Sequence, residues 1–116
     1  MAHLALLVDG VVVQLFPLEK PKTLIGRSPD CDICIDDDGV STKHALVHVK
    51  ASELLEGHDE IYLEDLKSRN GTRVNDRKIE RCQLKPDDVI TIAWNRFKLL
   101  DDHSPGGETT VLLMDD

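Results

Sequence analysis

The chain is a succession of short apolar segments separated by residues that favour turns. The first two segments, residues 4–8 and 11–16, flank Asp9-Gly10, a dipeptide typical of tight β-hairpin turns. Comparable segments recur up to residues 97–100, and most consist of Val, Leu and Ile, which favour sheets. Only residues 51–56 have a composition that allows a turn of helix. The pattern predicts an all-β fold, either a sandwich or a barrel of short strands.

The length of 116 residues fits a single domain with one hydrophobic core. Aromatic residues make up 3% of the sequence, so the core must be built mainly from aliphatic side chains. The run Ser-Pro-Gly-Gly at residues 104–107 separates the apolar segments from an acidic end. We therefore predict a folded domain over residues 1–101 and a flexible acidic C-terminal tail over residues 102–116.

The formal net charge of −8 argues against general binding to nucleic acids or anionic membranes, both of which require a basic surface. No stretch approaches the roughly 20 apolar residues that a membrane-spanning helix needs. The first residues also lack the positively charged region of a signal peptide. The sequence therefore predicts a cytoplasmic protein.

Three cysteines, Cys31, Cys34 and Cys82, are expected to be free thiols in a reducing compartment. The first two form a C-x-x-C motif, which in a redox or zinc site would lie on a turn or at a helix start. Here Cys34 falls in an apparent strand, residues 32–35, and no second motif or histidine spacing completes a ligand set. We predict structural roles for the cysteines, with no metal and no cofactor.

Three polar runs interrupt the apolar pattern, each in an apparent loop. They are Gly26-Arg27, Ser41-Thr42-Lys43-His44 and Ser68-Arg69-Asn70-Gly71-Thr72. Together they offer guanidinium, hydroxyl, amide and backbone N–H donors. An arginine can hold a phosphate through two hydrogen bonds, and hydroxyl and turn N–H groups complete its shell. If the fold brings the runs together, they form a site suited to a dianionic phosphate.

The runs and their order closely resemble the forkhead-associated (FHA) domain, over roughly residues 3–100. Residues 27–33 resemble the first ligand loop and the strand after it, residues 65–75 the most recognisable block of the family, and residues 84–92 the segment before the last strand. The resemblance implies an FHA-like β-sandwich of two twisted, mainly antiparallel sheets with ligand loops at one end. It also implies a non-enzymatic module that binds phosphothreonine peptides.

The resemblance assigns a role to each polar residue. Arg27 is expected to reach the phosphate or the adjacent peptide backbone, Ser41 to donate its hydroxyl, and Arg69 to add a second guanidinium. Asn70 is expected to hold the ligand main chain, and Thr42 and Lys43 to assist. Structural support of the site is expected from Gly26, His44, Gly71 and Thr72, with His44 bracing a loop by hydrogen bonds. The alternatives are solvated arginines on the surface and a serine and an asparagine that serve only their turns.

The sequence departs from the family where glycine is frequent, at Lys67, Asp87 and near Ala93. Those positions commonly serve turns that favour positive φ, so the turn geometry there is open. None of the three is a ligand-contact position.

The acidic tail contains two threonines, Thr109 and Thr110, that are possible phosphorylation sites. A phosphorylated tail would itself be an FHA ligand, and could switch the domain by self-binding or by head-to-tail assembly. The alternative is that residues 111–113 add a strand or contact a neighbouring molecule.

The partner implied by the resemblance is a phosphothreonine protein, either a Ser/Thr kinase or its substrate. A different class of function is also open, a protein-assembly domain whose contacts need no phosphate. An enzyme is disfavoured because the sequence has no Ser/His/Asp or Cys/His arrangement, no paired-carboxylate cleft and no Gly-rich P-loop.

Overall fold

The structure, a computed structural model, describes residues 2–101 and contains only strands and loops in that range. The strands are β1 (Ala2–Val8), β2 (Val11–Pro17), β3 (Lys22–Gly26), β4 (Ile33–Cys34), β5 (Ala45–Ala51), β6 (Asp59–Asp65), β7 (Thr72–Val74), β8 (Arg77–Ile79), β9 (Arg81–Leu84), β10 (Val89–Ile92) and β11 (Asn95–Asp101). Over residues 2–101, no helix is long and apolar enough to cross a membrane. The predicted tail, with Thr109 and Thr110, lies outside the described residues, so the domain boundary stays a prediction.

The strands form two sheets. One has six strands in the order β2-β1-β11-β10-β7-β8, and the other has five in the order β4-β3-β5-β6-β9. Every pairing is antiparallel except that of β3 with β4, which is parallel. The two mainly antiparallel sheets confirm the predicted all-β sandwich.

The core lies between the two sheets and is almost entirely aliphatic. The six-stranded sheet contributes Leu4, Ile90 and Phe97, and the five-stranded sheet contributes Ile25 and Leu63, all of them fully or almost fully buried. Burying such side chains contributes roughly 1.5–3 kcal/mol each to folding. Because alternate residues of β10 and β11 point inward, the intervening side chains face solvent on the outer surface of the sheet.

The hairpin predicted at Asp9-Gly10 is confirmed, a second hairpin has the same geometry, and one loop differs from the sequence analysis. Asp9-Gly10 joins β1 to β2 and Asn75-Asp76 joins β7 to β8, each with positive φ at both residues. That geometry is typical of the type I′ hairpin turn. Residues 51–56 do not form the turn of helix that their composition allows. Instead the Ser52 hydroxyl accepts hydrogen bonds from the N–H groups of Leu54 and Leu55.

At the three positions where the family often has glycine, the backbone of this chain keeps the turn geometry that glycine favours. Lys67, Asp87 and Ala93 have φ values of 55°, 73° and 55°. An L-residue in this left-handed region pays a steric cost of roughly 1 kcal/mol because its Cβ approaches the following carbonyl. The local geometry is therefore preserved at some expense of stability.

Candidate functional site

Three loops at one end of the sandwich bring the polar runs together. They are loop β3–β4 (residues 27–32), loop β4–β5 (residues 35–44) and loop β6–β7 (residues 66–71). The Arg27 N–H donates to the Ser41 carbonyl at 3.0 Å, which joins the first two loops. The Ser41 hydroxyl oxygen in turn accepts from the Arg69 N–H, also at 3.0 Å. Arg27, Ser41 and Arg69 therefore belong to one surface.

Gly26 allows the first two loops to approach closely. A Cβ atom at this position would lie 2.3 Å from the Thr42 carbonyl oxygen and 2.9 Å from the Cys31 sulfur. A backbone oxygen cannot move away as a flexible side chain can, so any larger residue would push the loops apart. This close approach is a physical reason for glycine immediately before Arg27.

His44 is completely buried and links loop β4–β5 to loop β6–β7. Its Nδ1 accepts a hydrogen bond from the Ser41 N–H at 3.0 Å, and its Nε2 lies 2.9 Å from the Gly71 carbonyl oxygen. Nε2 must therefore carry the proton and donate to that carbonyl, which defines a neutral tautomer. Both ring nitrogens are engaged by the backbone, so neither is available as a catalytic base.

Asp65, at the end of β6, organises the turn of loop β6–β7. Its carboxylate accepts hydrogen bonds from the Ser68 hydroxyl, the Ser68 N–H and the buried Thr72 hydroxyl. Ser68 also accepts from the Gly71 N–H at 2.9 Å. Burial alone would raise the pKa of Asp65, but the hydrogen bonds from Ser68 and Thr72 hold that pKa below its ordinary value. Sequence reasoning did not identify Asp65, although a carboxylate before the Ser-Arg-Asn-Gly-Thr run was a visible signal.

Both arginines of the site contact Asp38, a residue that sequence reasoning missed. The Arg27 guanidinium lies 3.7 Å from the Asp38 carboxylate, and Arg69 Nη2 donates to the Asp38 backbone carbonyl at 2.9 Å. All three side chains are exposed. Both guanidinium groups therefore lie next to Asp38 at the rim of the loops, and the Asp38 carboxylate faces Arg27.

Asn70, next to Arg69, supports the same loop one residue further along. Its Nδ2 donates to the Gly39 carbonyl at 2.8 Å, and the Asn95 amide donates to Asp37 at 3.1 Å. Thr42 and Lys43 lie exposed at the tip of loop β4–β5. Their side chains make no hydrogen bond or ion pair with the rest of residues 2–101. They can therefore turn toward a ligand without breaking an existing contact.

All three cysteines are free thiols; Cys31 and Cys34 hydrogen-bond within the loops, whereas Cys82 lies in β9. Cys31 Sγ donates to the Thr42 carbonyl at 3.3 Å, and Cys34 Sγ donates to the Arg27 carbonyl at 3.4 Å. Burial raises the pKa of Cys31, which disfavours the reactive thiolate. Within the described part of the chain, no group of three or more His, Cys, Asp or Glu side chains could hold a metal ion.

Comparison with known proteins identifies the family. The model of the FHA domain matches residues 23–93, more than half of the chain. The chain belongs to the FHA domain family. Its FHA domain is similar to the glycogen accumulation regulator GarA of Mycolicibacterium smegmatis, at 38% identity over 85 residues, covering 73% of this chain and 48% of that protein.

Two further comparisons agree. The proliferation marker protein Ki-67 of Mus musculus is 36% identical over 97 residues, covering 82% of this chain and 3% of that protein. A structure from a structural and functional analysis of phosphothreonine-dependent FHA domain interactions superposes with a TM-score of 0.71 at 29% identity, covering 86% of this chain and 95% of the other. The chain spans about half the length of GarA and a small part of Ki-67.

Proposed function

We propose that this FHA domain binds phosphothreonine peptides and recruits signalling proteins that Ser/Thr kinases have phosphorylated. The observation that carries the proposal is the convergence of Arg27, Ser41 and Arg69 at one end of the sandwich. The similarity to an FHA structure from work on phosphothreonine-dependent interactions supports it. As a recognition module, the domain needs no catalytic group.

The Ser41 hydroxyl is the first phosphate contact that we propose. Its oxygen already accepts from the Arg69 N–H, so its own proton is left to donate to an incoming oxygen. The Ser41 N–H is not available, since it donates to His44. Ser41 therefore contributes its side chain, while His44 keeps the backbone of the loop in place.

The two guanidinium groups supply the charge-assisted contacts. Arg27 must leave the Asp38 carboxylate to hold a phosphate, and an exposed ion pair of this kind contributes no more than about 1 kcal/mol. A phosphate carries almost two negative charges and can accept two hydrogen bonds from one guanidinium. The phosphate therefore competes well against the single carboxylate of Asp38.

The remaining residues act on the peptide around the phosphate. Asn70 is exposed beside the arginines, and its amide oxygen makes no hydrogen bond within residues 2–101, which leaves it available to a ligand N–H. Thr42 and Lys43, on the same rim, add a hydroxyl and a positive charge. Gly26, Gly71 and Thr72 act indirectly, by holding the loops that carry these groups.

The strength of the contacts suits a reversible interaction. Hydrogen bonds to charged groups contribute roughly 1.5–3 kcal/mol each. Three or four of them must offset an association cost of at least about 4 kcal/mol. A surplus near 8 kcal/mol corresponds to about micromolar affinity. Such an affinity suits a protein that reads kinase signalling, for which the cytoplasm is the predicted compartment.

Calorimetric titration tests the proposal directly. A phosphothreonine peptide library is titrated against matched threonine and phosphoserine pools, with wild type, Arg27→Ala and Arg77→Ala side by side. Arg77 is an exposed arginine of β8 and serves as the matched control. We expect micromolar, phosphothreonine-selective binding that Arg27→Ala abolishes and Arg77→Ala retains. Absence of binding by the folded wild-type protein would contradict the proposal.

A second candidate function is protein assembly that needs no phosphate. The edge strand β2 exposes a run of apolar side chains, with Val11 62% and Val13 56% exposed. Edge strands of this kind pair readily with other chains unless charge protects them. Partner binding that survives phosphatase treatment and is lost in Val13→Lys would favour this function. A self-binding switch through Thr109 or Thr110 stays a hypothesis about residues beyond the described range.

A further inference from the structure

A groove of about 1020 Å³ begins beside the phosphate-binding loops and continues over the outer surface of the six-stranded sheet. Asn70 lines its near end, so the groove is continuous with the proposed phosphopeptide site. Leu7, Val8 and Trp94 give it an apolar wall, and Arg73, Thr91 and Arg96 are also among its lining residues. The Trp94 side chain is 92% exposed, an unusual position for the single tryptophan of a chain.

A row of cations crosses the outer surface of this sheet. Thr91 pairs with Arg73 on one side and with Arg96 on the other, and Arg73 pairs with Lys78. Residues directly opposite each other in a sheet point to the same face, so the three cations lie in one row. Like charges placed directly opposite destabilise a sheet. The Arg73–Lys78 pair therefore destabilises the sheet slightly.

The cations of the row are not engaged in direct ion pairs. Among residues 2–101, the side chains of Arg73, Lys78 and Arg96 make no hydrogen bond or ion pair. Asp37 also lines the groove, but its carboxylate accepts from the Gly39 N–H and from Asn95. The other acidic lining residues, Asp9 and Asp76, belong to the two hairpin turns at the margins of the groove.

We propose that this groove binds an acidic segment of the same phosphothreonine partner, so that the domain reads a phosphothreonine together with nearby carboxylates. The inference rests on the proposed function, since Asn70 must hold the ligand main chain at the entrance of the groove. The segment contacts Arg73 and Arg96 with its carboxylates and the Trp94 and Leu7 wall with its side-chain carbons. Lys78, whose side chain lies against Gly71 beside Asn70, adds attraction near the entrance of the groove.

Chain geometry sets the position of the acidic segment. Arg73 follows Asn70 by three residues, so the two lie at most about 10 Å apart along the chain. Two strand spacings, again about 10 Å, separate Arg73 from Arg96 across Thr91. An extended peptide held at Asn70 therefore reaches both arginines within about three to six residues of its phosphothreonine.

The charge balance favours an acidic peptide over a nucleic acid. Three cations form the row, whereas the chain carries a net charge of −8 and Asp9 and Asp76 border the groove. A long polyanion would extend past the cations onto this acidic surface and be repelled. A short acidic segment anchored by a neighbouring phosphate need contact only Arg73 and Arg96 among the charged residues that line the groove.

The test uses two phosphothreonine peptides with the same central residues. One has Asp and Glu at about three to six residues on both sides of the phosphothreonine, and the other has Asn and Gln at the same positions. Both are titrated into wild type, the double variant Arg73→Ala/Arg96→Ala and the control Arg77→Ala. Arg77 neighbours Lys78 on β8, so its side chain points to the opposite face. Thermal unfolding verifies that each variant is folded.

We expect wild type to bind the acidic peptide about fivefold more tightly than the neutral one, as two exposed charge pairs would provide. The double variant should lose this preference and still bind the neutral peptide, whereas Arg77→Ala should keep it. The charge-retaining Arg73→Lys/Arg96→Lys should recover most of the preference, and added salt should reduce it. Trp94 fluorescence should change more with the acidic peptide than with the neutral one.

The outcomes separate this inference from the function on which it rests. Equal binding of the two peptides by wild type, or an equal loss of both in the double variant, would overturn the inference and leave phosphothreonine binding intact. Binding of neither peptide by the folded wild-type protein would overturn both. Binding of the acidic peptide without its phosphate would overturn the joint reading of phosphothreonine and carboxylates, and it would favour the phosphate-independent function.

Discussion

The Ser41 hydroxyl oxygen accepts a hydrogen bond from the backbone N–H of Arg69 at 3.0 Å, across 28 positions of the sequence. The bond leaves the Ser41 proton available to a ligand and anchors the backbone that carries the Arg69 side chain. Without this bond, loop β4–β5 and loop β6–β7 would have to become ordered when the ligand binds. That ordering would cost conformational entropy and weaken binding. The contact therefore preorganises the proposed phosphate site.

Replacing Ser41 by alanine should weaken binding more than folding. Ser41→Ala removes the proposed donor to the phosphate, so we expect phosphothreonine peptide affinity to fall by at least about tenfold, as loss of a hydrogen bond to a charged group implies. Unfolding free energy should fall by only about 1 kcal/mol, since the Arg69 N–H is near solvent. Calorimetry and urea denaturation measure the two effects. Ser52→Ala, which removes a turn-capping hydroxyl in a different loop, should leave affinity unchanged.

Removing the carboxylate of Asp38 should strengthen binding. In Asp38→Asn, Arg27 no longer has to leave an ion pair to reach the phosphate, while the backbone carbonyl that accepts from Arg69 is retained. We expect phosphopeptide affinity to rise about two- to fivefold, in line with an exposed pair. Asp36→Asn removes the same charge two residues away and measures the long-range part of the effect. If affinity fell in Asp38→Asn, Asp38 would instead position Arg27 for binding.

Glycine at position 67 should stabilise the fold. Lys67 is exposed and has a φ of 55°, so Lys67→Gly relieves the left-handed strain while losing no packed side chain. We expect the unfolding free energy to rise by about 1 kcal/mol. Lys50→Gly, at an exposed strand residue, should lower the unfolding free energy by about 0.5–1 kcal/mol. Glycine loses more backbone freedom on folding than lysine does, and no strain is relieved at this position. Urea denaturation measures the unfolding free energy of both variants. A change in the same direction in both would contradict the assignment of strain to Lys67.

The contribution of Asp65 to stability should disappear in acid. Its pKa is lower in the folded protein than the ordinary 3.8, so the ionised form stabilises the fold above that value and the benefit is lost as pH falls below it. At neutral pH, we expect Asp65→Asn to lower the unfolding free energy by about 1–3 kcal/mol, as loss of a partly buried hydrogen-bond network implies. The difference from wild type should narrow as pH falls below about 4.

Asp59→Asn, at the exposed start of the same strand, is the matched control for Asp65 and should change stability little. The measurement is urea denaturation at a series of pH values. A difference between wild type and Asp65→Asn that persisted unchanged at the lowest pH would contradict the assigned role of the Asp65 carboxylate.

Local sequence was sufficient for most strands and for the hairpin at Asp9-Gly10. Strands β1 and β2 were visible because short apolar segments and the Asp9-Gly10 turn are properties of neighbouring residues. Two short strands, β7 (Thr72–Val74) and β8 (Arg77–Ile79), were not delimited by the sequence, because three residues are too few to establish a period. Their hairpin joins the sheet through the pairing of β7 with β10, which lies further along the chain.

The sequence by itself determined the donor types of the candidate site and their order: an arginine after glycine, a serine before histidine, and an Arg-Asn pair in a tight turn. Only the tertiary structure decided that Asp38 lies between the two arginines, that Asp65 holds the third loop, and that Arg73 and Arg96 fall in one row with Thr91. The Asp65 contacts are local but depend on how the turn closes, whereas the contact of Arg69 with Asp38 joins two loops that are distant in sequence. The row of Arg73 and Arg96 depends on strand register, which local composition does not encode because it is set by the packing of the whole sandwich.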